Sequence, residues 1–247
     1  MLPFTNPRQI FGIDLRSLAL FRVAIAAILI IDLLVRLSDL STHYTDWGVL
    51  PRDVVIENTI SSWSFSLHLM NGSFTGQVLL FSTQLVFAFL LLVGYRTRVA
   101  AVVSWVLIVS LQSRNPMILS GADDTLRMIM FWAMFLPIGA RFSVDRALST
   151  NVETSPDTHI SVGTVALLTQ VSLIYLFAFL FKIHPVWIGE YSALYYMFSI
   201  DLFANEFAQF LLGFPTLLKF MTAAYIWVEL AAAILVWSPV FTTQARL

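Results

Sequence analysis

The stretch Ala19-Leu20-Phe21-Arg22-Val23-Ala24-Ile25-Ala26-Ala27-Ile28-Leu29-Ile30-Ile31-Asp32-Leu33-Leu34-Val35 decides the fold class. Apart from Arg22 and Asp32, every residue in it is apolar. Extended to Leu15–Leu37, it is long enough for one helix to cross a hydrocarbon core, which needs about 20 mostly apolar residues. Five further stretches read the same way: Gly76–Tyr95, Val99–Gln112, Asp123–Ala140, Gly163–Ile183 and Pro215–Trp237. Val99–Gln112 is the shortest, so it is either tilted or continued past Gln112. Thr59–Met70 and Trp187–Leu212 mix aromatic with polar residues and are too broken to span. They read as interfacial or re-entrant helices, which need protein or water to satisfy their backbone.

Composition agrees with the spans. Of 247 residues, 58% are hydrophobic and 12% charged, against about 45–50% and 25% in ordinary soluble domains. The mean hydropathy is +0.81. These values exclude a water-soluble enzyme and a disordered chain. Fourteen Lys and Arg against fifteen Asp and Glu leave no basic field for phosphates, which excludes a nucleic-acid binder. The absence of cysteine excludes disulfides, thiolate chemistry, iron–sulfur clusters and zinc–cysteine sites. The expectation is an all-α, polytopic helix bundle forming one domain over 1–247, with about six spans and two re-entrant or interfacial stretches. The first apolar run is too long for a cleaved signal peptide, it contains charges, and no small-residue cleavage site follows it. Asp14 and the Asp123-Asp124 pair stand where helix N-caps are expected.

Basic residues in short loops set orientation. With the N-terminus in the cytoplasm, Arg8, Arg16, Arg96, Arg98, Arg141, Arg146 and Arg246 fall inside. Arg36, Arg52, Arg114, Arg127, Lys182 and Lys219 fall outside, four of them at helix ends. The expectation is a multi-pass protein of a bacterial inner membrane with its N-terminus cytoplasmic.

In that orientation the unusual residues collect on the outer side. Asp32, Arg127 and Lys182 lie within roughly two turns of the outer ends of their helices, at about 1.5 Å per residue. Arg114, Asn115, Asp123, Asp124, His184 and Trp187 lie in the adjoining loops and helix ends. Together they predict an outward-facing polar pocket. Deeper in the membrane, Arg22 and Glu229 each lie about 10–12 Å from the inner end of their helices at that rise. Because a charge in the bilayer centre costs about 2.5–3.5 kcal/mol, an Arg22–Glu229 ion pair is expected. No two histidines have ligand spacing, so no metal site is expected.

A set of motifs resembles the HTTM (horizontally transferred transmembrane) family, which includes the vitamin K-dependent gamma-glutamyl carboxylase. It comprises Gly12-Ile13-Asp14-Leu15-Arg16, Tyr44-Thr45-Asp46-Trp47-Gly48-Val49-Leu50-Pro51, Gly94-Tyr95-Arg96-Thr97-Arg98, Arg114-Asn115-Pro116, Phe131–Gly139, and the region from Tyr175 through Lys182 and Trp187 to Ser192. The resemblance covers most of the chain, to about Glu229. It implies that Lys182 is the counterpart of the lysine that deprotonates vitamin K hydroquinone, a task that needs a neutral amine. It also sets Pro116 where the family enzyme has its catalytic histidine, and proline transfers no proton. That departure, and the enzyme's propeptide-binding lumenal domain lying beyond the resembled region, argue against carboxylase activity. Two readings stay open. One is a non-catalytic subunit or maturation factor that binds other membrane proteins and lipids. The other is a membrane-embedded enzyme, or a quinone- or lipid-binding protein, with Lys182 as base. Each residue also has a plainer reading: Lys182 snorkelling, Asp123-Asp124 capping a helix, Arg114 and Arg127 pairing with neighbouring acids, and the Trp and Tyr residues forming an interfacial belt.

Overall fold

The computed structural model describes residues 10–58, 65–150, 157–201 and 204–238. The described residues are all-α but for one two-stranded ribbon, in which β1 (Ile13–Asp14) pairs antiparallel with β2 (Thr158–His159). The long helices are α1 (Leu15–Ser38), α4 (Phe74–Val93), α5 (Thr97–Arg114), α6 (Gly121–Ala133), α8 (Val162–Leu180) and α11 (Pro215–Leu235). Short helices α2 (Leu40–Tyr44), α3 (Arg52–Asn58), α7 (Val144–Leu148), α9 (Ala193–Phe198) and α10 (Glu206–Leu212) occupy the connections. The chain divides into two compact units, Phe11–Leu167 and a second beginning at Leu168, so the division falls inside α8.

Among the described residues, four helices are long and apolar enough to cross a membrane: α1, α4, α8 and α11. The other two expected spans differ for identifiable reasons. Helix α5 has the length but carries Arg98, Gln112 and Arg114. Helix α6 ends at Ala133, after 13 residues, rather than at Ala140. Pro137 has no N–H to give the Ala133 carbonyl, its ring would clash there, and it disfavours helical geometry at Leu136. At about 1.5 Å per residue, α6 is about 20 Å long, short of a 30 Å core.

In the first unit, α1 packs on α4 and α4 on α5. The face of α4 that is buried runs Gln77, Phe81, Gln84, Ala88, Leu91, at the three-and-four spacing of a helix seam. Asp14 caps α1, its Oδ1 accepting from Arg16 N–H at 2.7 Å, as expected. Ser120 starts α6, with Asp123 in the first turn accepting from Ser120 N–H at 2.7 Å, which is half of a capping box. Of the expected interfacial helix Thr59–Met70, residues 59–64 lie outside the described set, and 65–70 form a turn instead. Ser110 Oγ accepts from Leu67 N–H at 2.7 Å and His68 N–H at 3.1 Å, fixing that turn to α5. In the second unit, α9 and α10 both pack on α11, so the described residues of Trp187–Leu212 include two short helices alongside a long apolar one.

Candidate functional site

At the α1 C-terminal end of the first unit, acids and arginines are interlocked. Asp32 and Arg36 are one turn apart on α1, and Arg36 Nε lies 2.8 Å from both Asp32 oxygens. Arg36 Nη1 donates to Tyr44 Oη at 3.0 Å, and Nη2 donates to Asp123. One guanidinium thus ties α1, α2 and α6 together. Asp124 and Arg127 pair with each other on α6.

Beside this lies a second group. Arg114 is fully buried at the end of α5. It donates to Leu50 O at 2.9 Å and Thr45 O at 3.1 Å, holding the 45–50 loop, and it lies 3.9 Å from Asp46. Asp46 accepts from Arg52 Nε at 2.8 Å, and this bond, with the Arg114 charge, holds its carboxyl below the usual range. Asn115 donates to His43 O at 3.1 Å and accepts from Met117 N–H at 3.2 Å. His68 is buried, with Nδ1 2.7 Å from Ser110 Oγ. Burial first, then the Arg114 charge, pushes its pKa down to about 4.

Arg22 and Glu229, expected to pair, each have other partners within their own units. Arg22 donates to four carbonyls of its own unit: Ile138 at 3.1 Å, Leu91 at 2.8 Å, Leu92 at 2.6 Å and Phe142 at 2.6 Å. Leu91 and Leu92 end α4, where carbonyls have no partner within the helix and the dipole favours a cation. Glu229 meets Lys182 instead, because α8 and α11 run antiparallel, with Ser172 Oγ donating to Ala233 O at 2.8 Å.

In the second unit Lys182 Nζ lies 2.8 and 2.9 Å from the two Glu229 oxygens and 3.1 Å from Ala178 O. An ammonium has three donors, and here there are three acceptors. The Trp187 and Tyr225 ring centroids lie 5.6 and 5.0 Å from Nζ, within cation–π range. The Glu229 side chain is 8% exposed and that of Lys182 20%. His184 is exposed, its Nδ1 accepting from Val186 N–H at 3.4 Å.

Of the predicted pocket residues in the first unit, Asp32 and Asp123 converge on Arg36, whereas Asp124–Arg127 and Arg114–Asn115 serve separate local roles. In the second unit Trp187 joins Lys182 and His184 does not. Sequence reasoning missed Arg36, Tyr44, His68, Ser110 and Tyr225. The four-residue Asp32–Arg36 spacing is a helix-pair signal; the others come together only through tertiary register. Among the described residues no group of three or more His, Asp or Glu could hold a metal ion. Comparison with family models, with curated proteins and with solved structures yields no match to this chain.

Proposed function

We propose that this chain is an HTTM-like integral membrane protein without carboxylase activity, serving as a non-catalytic subunit or maturation factor of a membrane protein complex. Its proposed setting is a bacterial inner membrane, with the N-terminus cytoplasmic. The observation that carries this reading is the engagement of Lys182. A general base needs a lone pair facing its substrate, and all three hydrogen-bonding positions of this nitrogen face Glu229 and Ala178. Pro116, where the family enzyme has a histidine, supports the same reading. Large side chains exposed along the spans, such as Ile31 and Val35 on α1 and Phe220 and Val228 on α11, supply surface for lipid and for partner helices.

The second reading, a quinone- or lipid-binding enzyme with Lys182 as base, draws on the Trp187 and Tyr225 rings beside the amine. It requires Glu229 to release that amine. The double variant K182M/E229Q separates the two, because it removes the amine without leaving a lone buried charge. The expected result is a folded protein that co-purifies in mild detergent with the same membrane-protein partner at wild-type stoichiometry and restores function to a deletion strain. A folded double variant that keeps its partner but loses function overturns the non-catalytic reading.

A further inference from the structure

At the opposite end of the first unit from Arg114, a groove of about 420 Å³ opens between the first turn of α5, the segment following α6, and β2. Its floor is apolar, formed by Met134, Phe135 and Leu136, and its rim holds Arg98, Asp145 and His159. The Asp145 carboxylate is already engaged. It accepts from Arg96 N–H at 2.7 Å, Thr97 N–H at 2.8 Å and Thr97 Oγ at 2.7 Å. Burial would raise its pKa, but those bonds and the Arg22 charge hold it below the usual carboxylate range. Arg98, by contrast, is exposed, and no ion pair or hydrogen bond engages its guanidinium among the described residues. The buried Arg22 charge offsets that of Asp145, which leaves Arg98 as the unpartnered charge at the rim. One wall residue is held in place, since Arg22 donates to the Ile138 carbonyl at 3.1 Å.

The placement selects the occupant. Arg98 lies in the first turn of α5, just past the end of the apolar span α4, which is headgroup level when α4 crosses the membrane. Phe135, 54% exposed, offers an apolar surface on the groove floor. We propose that this groove binds an anionic glycerophospholipid, its phosphate on Arg98 and an acyl chain along Phe135. A zwitterionic lipid would bring its own cation toward Arg98, so the anionic class is preferred. The proposal rests on the membrane-spanning reading and is independent of the role of Lys182.

The test is native mass spectrometry of the full-length chain in mild detergent, titrated with phosphatidylglycerol or with phosphatidylcholine of the same acyl chains. Phosphatidylglycerol is expected to bind the wild type preferentially. R98Q is expected to weaken it about fivefold, the effect of one basic residue at an anionic surface, toward the phosphatidylcholine level. R127Q, which removes a surface pair in the middle of α6, is expected to leave binding unchanged. Equal binding of the two lipids by the wild type overturns the proposal without recourse to any variant. So does undiminished phosphatidylglycerol binding by folded R98Q. Complete displacement of phosphatidylglycerol by equimolar inorganic phosphate would identify a free-phosphate site and overturn the lipid assignment.

Discussion

Arg22 meets its desolvation through four backbone carbonyls rather than a carboxylate. Charge-based reasoning looks for an acid, and nothing in the side-chain pattern marks a carbonyl, so this partnership was illegible in the sequence although the buried cation itself was plain. Arg22→Ala is expected to lower stability by about 3 kcal/mol or more, the scale seen when buried charged hydrogen bonds lose a partner. Arg22→Lys, with three donors for four acceptors, should fall between; unfolding midpoints in detergent check both. His68 supplies a pH test. With a folded-state pKa of about 4 against 6.5 in the unfolded chain, it is neutral in both states above pH 6.5. Between about 6.5 and 4 the unfolded state binds a proton that the folded state refuses. Stability therefore falls as the pH drops through that window, by about 3 kcal/mol from this residue. His68→Gln should flatten that part of the stability–pH curve.

At the scale of elements, α1, α4, α8 and α11 were legible because hydropathy over about 20 residues is a strong local signal. The end of α6 was legible only through Pro137, whose effect reaches back four residues. The interlocking of Asp32, Arg36 and Asp123 needed the register of α1 against α6, which no single segment encodes. The α4–α5 hairpin shows how tightly one turn is built. Gly94 closes α4 with φ +73°, and a Cβ there would lie 2.5 Å from Ser143 Cβ and 2.6 Å from Arg22 Nη1. Gly94→Ala therefore combines left-handed strain with a collision against a held guanidinium. It is expected to cost about 1–3 kcal/mol, read as a lowered unfolding midpoint.

For the whole molecule, the absence of cysteine makes single-cysteine labelling direct. Trp47 is 95% exposed and Leu148 68% exposed. They are separated by α4, α5 and α6, an odd number of crossings whether the α5–α6 hairpin traverses the membrane or only enters it. An impermeant maleimide is expected to label Trp47→Cys from outside the cell and Leu148→Cys only after the membrane is opened. Labelling of both from one side would refute the proposed path.

The carbonyls that engage Arg22 bear on biogenesis. The farthest of them, Phe142 O, lies 120 positions downstream, and at 5–20 residues per second the ribosome takes roughly 6–24 s to reach it. Until then the nascent first helix holds a guanidinium with an incomplete set of acceptors, since the Leu91 and Leu92 carbonyls come 69 and 70 positions downstream and those of Ile138 and Phe142 only at 116 and 120. Its stay in the insertase must outlast its own synthesis, or its early lodging in lipid must be shallow until the hairpin arrives to draw it in.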